Sequence, residues 1–187
     1  DAETSFRRGF ARYETRNYEG ALSDLSAAIN KQSDYAEAYA VRGNTRFRLK
    51  DYQAALTDYD QAVQLGWEDA VIYNNRGKTK YKLEQYEACI TDYDEAIALD
   101  PEYTLAYENR GLVHFKLEHY EEAKEDLRVV EKAQTEKVDA AILYYLADAY
   151  FYLENYPIAI GYYDQAIDNG ILEKDAYHRR GISLMKR

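Results

Sequence analysis

The chain has 187 residues, with 24 Lys and Arg against 34 Asp and Glu, giving a formal net charge of −10. Only 2 Pro and 9 Gly stand among 47% apolar residues, and 21 residues are Tyr, a composition that favours long helices and excludes a sandwich of short strands or a disordered tail. The acidic balance argues against a nucleic-acid partner, because phosphate contacts need net basic surface, and a single Cys excludes an internal disulfide framework and a Cys-rich zinc site.

The predicted elements repeat along the chain. Tyr18, Tyr52, Tyr86 and Tyr120 follow one another at intervals of 34 residues, and Tyr156 comes after 36, so two residues are inserted before a fifth copy. The units are 2–35, 36–69, 70–103, 104–137 and 140–173, followed by a half unit over 174–187, all within one solenoid domain over 1–187. In the first unit, a helix through Gly9 precedes a turn at Asn17 and a second helix carrying Ala21 and Ala28. In the second, Tyr39, Gly43 and Phe47 share one helical face, and Ala55, Leu56, Tyr59, Ala62 and Val63 share another, with a turn near Asp51 and a stop at Gly66. The third repeats this through Gly77, a turn near Gln85, Cys89 and Ala96, and stops at Asp100-Pro101. The fourth carries Gly111, His119, Ala123 and Val130. The charged stretch 131–139 holds the insertion and predicts altered stacking before the fifth unit. There Ala147 replaces Gly, Pro157 falls in the first turn of its helix, and Gly170 supplies the stop. The run 140–153 is interrupted by Asp148 and is too short to span a bilayer, so no membrane insertion is expected.

Each unit is thus two helices of about 12–15 residues, and small residues where helices cross let the backbones approach. One such pair cannot bury its apolar face alone, so neighbours must stack. With a 34-residue period, an aromatic at the fourth place (Tyr39, Tyr73, Tyr107, Tyr177), Gly at the eighth, Tyr at the seventeenth, Ala at the twentieth and twenty-seventh, and Pro101 at the thirty-second, the chain resembles the tetratricopeptide repeat family over essentially its whole length. The resemblance implies an all-α, right-handed superhelical solenoid of antiparallel helix pairs. Its first helices would line a concave groove that holds peptides. The chain departs from the pattern at Ser5 and Leu143 in the fourth place, in keeping one closing Pro, and in placing Arg at the seventh place, usually Leu.

That Arg belongs to a set. Arg8, Arg42, Arg76 and Arg110 each precede, by sixteen residues, Asp24, Asp58, Asp92 and Asp126 in the expected second helices. In the fifth unit the two become Leu146 and Tyr162 together, and the basic or His residue at the eleventh place (Arg12, Arg46, Lys80, His114) becomes Tyr150. We expect an Arg–Asp pair within each of the first four units, fixing register rather than capturing ligand, since a paired Arg has its charge occupied.

By the resemblance, the second, fifth, ninth, twelfth and thirteenth places of each first helix face the groove. The twelfth gives an aromatic ladder, Tyr13, Phe47, Tyr81, Phe115 and Phe151, either ligand-facing or partly core. Arg48, Lys78, Lys82 and Lys116 make a central basic strip, with Asn44 and Asn74 as hydrogen-bonding groups and Leu112 and Tyr144 completing the surface. Acidic residues, among them Asp148, lie toward parts of its rim. Such a groove suits a protein partner presenting a peptide or helix, acidic with apolar anchors. The Lys/Asn clamp with which some relatives hold a C-terminal carboxylate is not expected: its positions here are Ala40, Asn44, Asn75, Leu105 and Asn109, without the required Lys and Arg.

No P-loop, dinucleotide fingerprint or nucleophile elbow is present. His114, His119 and His178 lie at unrelated places, and the first two, five apart, do not share a helical face as metal ligands four apart would. Cys89 replaces a helix-crossing Ala and is expected to be buried; Trp67, in a turn between units, is either an exposed contact or a wedge. The expectation is a non-catalytic scaffold without metal or cofactor. The alternatives are end-to-end self-assembly through Tyr177, Ile182 and Met185 of the last helix, which otherwise caps the stack, or the regulatory part of a longer protein. A lone Cys fits a reducing cytoplasm.

Overall fold

A computed structural model describes residues 1–187, in which eleven helices follow one another without a strand. They are α1 (Ala2–Glu14), α2 (Tyr18–Lys31), α3 (Ala36–Arg48), α4 (Tyr52–Gln64), α5 (Ala70–Lys82), α6 (Tyr86–Leu99), α7 (Thr104–Lys116), α8 (Tyr120–Ala133), α9 (Ala140–Tyr152), α10 (Tyr156–Asp168) and α11 (Lys174–Lys186). Every helix has 13 or 14 residues, as the repeat predicts, and none is long and apolar enough to cross a membrane.

The turn inside each unit is built by backbone hydrogen bonds that the sequence does not advertise. At the end of α1, Arg16 N donates to Tyr13 O (2.9 Å) and Asn17 N to Arg12 O (2.8 Å), the paired bonds that close a helix when the residue past its cap turns left-handed. Arg16, Lys50, Glu84, Glu118 and Glu154 all adopt φ between 60° and 64° for this purpose, without a glycine among them. Asn17 and Asp51 then cap the following helices, their side chains accepting from Gly20 N and Ala54 N. Gln85, His119 and Asn155 make no such bond. Gly66 and Gly170, at φ +84° and +107°, end α4 and α10 as expected.

The chain divides into two compact units, Asp1–Pro101 and Glu102–Arg187. In the first, α1 touches α3 and α3 touches α5, while α2, α4 and α6 do not touch one another; in the second, α7, α9 and α11 touch in succession while α8 and α10 do not. The first helix of each pair therefore lies on the inner side of its unit. Apolar clusters span three successive helices: Phe6, Leu25, Ile29 and Val41 join α1 to α3, and Ala40, Tyr59 and Ile72 join α3 to α5. Full burial of a side chain such as Leu25 contributes about 1.5–3 kcal/mol, gained only when the next pair is in place. The two inserted residues fall in the connection 134–139, across which α8 and α9 pack through Leu127, Val130, Ile142 and Leu146.

Glycine at the crossing has the steric role the sequence implies. A Cβ on Gly43 or Gly77 would lie 2.8 Å from Tyr59 Cε1 or 2.7 Å from Tyr93 Cε1. On Gly181 of α11 it would meet nothing within 4 Å. The half unit packs on α10 and α9 through buried Ala176 and Ser183, leaving Tyr177, Leu184 and Met185 exposed.

Candidate functional site

The seam forms as predicted. Arg42 Nη2 donates to Asp58 Oδ1 (2.7 Å), and the same pairing joins Arg8 to Asp24, Arg76 to Asp92 and Arg110 to Asp126, each at 2.6 Å. The Asp side chains are buried. A second cation from the eleventh place reaches the same carboxylate: Arg12 to Asp24 (2.8 Å), Arg46 to Asp58 (2.9 Å) and Lys80 to Asp92 (2.7 Å). Hydrogen bonding from Arg8 holds the Asp24 carboxyl below its ordinary range. In the fifth unit the whole set becomes aromatic and apolar: Leu146 is buried, and Tyr150 stacks on Tyr162 with ring centroids 5.4 Å apart. With their guanidinium groups engaged by the aspartates, the seam arginines tie together the two helices of each pair.

A second polar node, not foreseen from the sequence, sits at the ninth place of the first helix. Asn44 Oδ1 accepts from Tyr59 OH (2.7 Å) and from Asn75 Nδ2 (3.1 Å) of the next unit. The fifth unit builds the charged version, in which Asp148 accepts from Tyr163 OH (2.6 Å) and pairs with Arg179, whose Nη1 also donates to Tyr144 OH (3.3 Å). Asp148 is thus a buried, paired group and not the acidic groove residue expected. Burial pushes the Tyr144 hydroxyl up to about 12.

Within Asp1–Pro101, Tyr13, Asn44, Phe47, Arg48, Tyr59, Asn75 and Lys78 surround a cavity of about 70 Å³. Five of these were expected from sequence. The correction is Asn74, which is fully buried, whereas its neighbour Asn75 faces the cavity; one residue turns the side chain by about 100° around a helix. Arg48 is exposed, its pKa raised chiefly by Tyr13 beside it, and Lys78 Nζ lies 5.8 Å from the centre of the Phe47 ring. Lys82, also exposed, sits 5.7 Å from the centre of Tyr81. Trp67 packs as a wedge against the cluster of α3, α4 and α5 and borders a second cavity.

The ladder is half-buried throughout, each twelfth-place ring meeting the Tyr that opens the next helix: Phe47 on Tyr52, Tyr81 on Tyr86 and Phe115 on Tyr120, with centroids 5.3–5.6 Å apart. Part of each ring is therefore core. Within Glu102–Arg187, Phe115 also meets Tyr145 and Tyr152, and Tyr152 stacks on Tyr120 at 4.5 Å. Phe151 meets Tyr152 and Tyr156; Leu112 and Tyr144 are half-buried and Lys116 is exposed.

The turn brings the His114 and His119 rings to 5.8 Å, closer than their sequence spacing suggests, because the eleventh and sixteenth places flank one loop. No group of three or more His, Cys, Asp or Glu is arranged to hold a metal ion. Nδ1 of His114 is buried without a hydrogen-bond partner, and burial lowers its pKa. Cys89 is buried as expected, its thiol pushed up to about 12.

Comparisons agree with this architecture. Family models described as "TPR repeat" match residues 43–84 and 77–118, and one described as "Tetratricopeptide repeat" matches 109–173. No curated protein sequence matched. Among solved structures, the chain is similar to YrrB, titled a TPR protein with an unusual peptide-binding site (24% identity, 97% of this chain and 92% of that one, TM-score 0.86). It is similar to MamA of Desulfovibrio magneticus RS-1 (18%, 90% and 94%, 0.81) and to pilF of Pseudomonas aeruginosa (21%, 99% and 88%, 0.75). Those likenesses concern the fold, one that in general builds protein-interaction scaffolds. With 34-residue helix pairs, Gly or Ala at the crossings and family matches running from 43 to 173, the chain belongs to the tetratricopeptide repeat family.

Proposed function

We propose that this chain is a non-catalytic scaffold that binds a segment of another protein on the inner face formed by its first helices, one unit of that face being the cavity between Tyr13, Phe47, Arg48 and Lys78. The observation that carries the reading is this cavity, where the exposed Arg48 and the half-buried Lys78 stand beside half-buried rings. An acidic segment with apolar anchors suits it, because carboxylates meet Arg48, Lys78 and Lys82 while apolar side chains meet the rings. The peptide-binding site named for YrrB supports the reading by analogy of fold. The test is capture from lysate by the parent chain and by an Arg48→Glu, Lys82→Glu variant, both substitutions lying on exposed positions. A partner held by the parent and lost by the folded variant supports the groove; identical captures count against it.

One observation favours a second reading, assembly of copies through the last helix. The crossing position Gly181 faces open space, and Tyr177 and Met185 beside it are 47% and 81% exposed. Sedimentation across a hundredfold range of concentration tests it: a constant monomer mass removes the reading.

A further inference from the structure

The last helix is a first helix without its second. α11 rests on α10 and α9 alone, seated through buried Ala176 and Ser183 and through Arg179 on Asp148. Its other side carries Tyr177, Arg180, Gly181, Leu184 and Met185, at the fourth, seventh, eighth, eleventh and twelfth places of the repeat. In the earlier pairs these places meet the second helix: Arg42 and Arg46 hold Asp58, a Cβ on Gly43 would strike Tyr59, and Phe47 meets Tyr52. On α11 they have no such cover, and Tyr177, Leu184 and Met185 are exposed.

The covered crossings show what fits such a face. In α4, Asp58 lies on the arginines, Tyr59 lies over the glycine, and Ala55 and Ala62 stand about one turn to either side; α2 repeats the order with Leu25 in place of Tyr. The acid goes with the arginine, since Leu146 in the fifth unit is matched by Tyr162, and α11 restores Arg180 and Gly181 together. Arg180 pairs with Asp164, sixteen residues back, as Arg76 does with Asp60. Arg76 also holds Asp92 ahead of it, so the backward contact leaves the forward one to be made. The Arg180 side chain is 37% exposed, against 14%, 15% and 20% for Arg42, Arg76 and Arg110, whose forward carboxylates are in place. Charge sorts the possible occupants. α11 carries Lys174, Arg179, Arg180 and Lys186 against Asp175, so a second copy of it brings like charges together, and α1 offers the exposed Arg7 and Arg8. A helix with its own acid does not meet this repulsion.

We infer that the open face of α11 docks an amphipathic helix of another protein, antiparallel to α11, in the order small residue, two residues, Asp or Glu, Leu or Tyr, two residues, small residue. The acid lies on Arg180, the large side chain crosses over Gly181, and apolar neighbours cover Tyr177, Leu184 and Met185. The site is separate from the inner face, so its failure leaves the groove reading intact. It gives the face on which assembly of copies was read a different occupant.

The test uses a labelled synthetic peptide of residues 51–65, which carries the α4 pattern, titrated with the full chain and followed by fluorescence anisotropy. A free helix of this length is marginal, so Gln53→Lys and Thr57→Asp, at two exposed positions, are joined as a lactam to hold it. The parent chain is expected to bind. Gly181→Leu should weaken binding roughly tenfold or more by filling the crossing, while its helicity and thermal midpoint are kept, because a Cβ there meets nothing within 4 Å. Arg180→Glu should also weaken the peptide by about tenfold. A peptide with Asp58→Lys should then prefer the Arg180→Glu chain to the parent, a reversal that loss of folding would not create. Binding indifferent to Gly181→Leu and to the charge exchange overturns the inference, as does no anisotropy change up to about 0.5 mM chain. Sedimentation of the chain alone supplies the remaining arm: a dimer that Gly181→Leu abolishes assigns the face to a second copy and overturns the partner helix.

Discussion

Asp92 receives two cations from one helix: Arg76 Nη2 at 2.6 Å and, one turn on, Lys80 Nζ at 2.7 Å, with the carboxylate 1% exposed. Arg76 also reaches back to Asp60 of the preceding unit (3.2 Å), as Arg42 does to Ser26 (3.3 Å). The seam therefore fixes both the pair and its stacking on the pair before.

Removing one partner leaves a buried carboxylate short of a cation, which costs more than removing both. Arg76→Leu is expected to lower stability by about 2–4 kcal/mol, and Arg76→Leu with Asp92→Leu by less. Urea unfolding of the two variants checks this, and equal losses would show that the pair is not coupled.

Gly43→Ala should destabilise by about 1–3 kcal/mol, because its Cβ would overlap the buried Tyr59 ring. Gly181→Ala, with open space around it, should stabilise its helix by up to about 1 kcal/mol. Opposite signs for the same substitution at the same repeat position, read from thermal midpoints, are the diagnostic.

Lys50 holds φ at 64° in an exposed turn. Lys50→Asn should raise stability by about 0.5–1 kcal/mol, as Asn tolerates this region, while Lys50→Val should lower it by at least as much. Chemical denaturation of the pair of variants checks both signs.

His114 occupies the place from which Arg12, Arg46 and Lys80 assist their carboxylates. Burial lowers its pKa below the ordinary 6.5, with Asp126 and Glu122 opposing and Arg110 and His119 reinforcing the shift. The unfolded chain therefore binds the proton more readily, so this contribution is intact above about pH 6.5 and is lost as pH falls below it. His114→Gln should flatten the fall in thermal midpoint between pH 7 and 5. His114→Arg should add about 0.5–1 kcal/mol at pH 7 by giving Asp126 its second cation.

The sequence by itself determined the architecture. A 34-residue period with small residues at fixed places leaves no other way to bury Ala21, Ala55 and Ala159 at helix crossings, and all three are fully buried. The Arg–Asp seam was also legible, because both partners change together in the fifth unit and their sixteen-residue spacing stays within one helix pair. What only the tertiary structure decided lies where a contact crosses from one unit to the next or where one residue of helical phase matters. Asn74 and Asn75 are indistinguishable by type, and roughly 100° of rotation buries one and turns the other to the cavity. Asp148 looked like a solvated acid until α11 brought Arg179 to it. The left-handed turns at Arg16, Lys50, Glu84, Glu118 and Glu154 carry no glycine, since the bonds closing each helix and the packing of the next impose a conformation those residues do not choose locally.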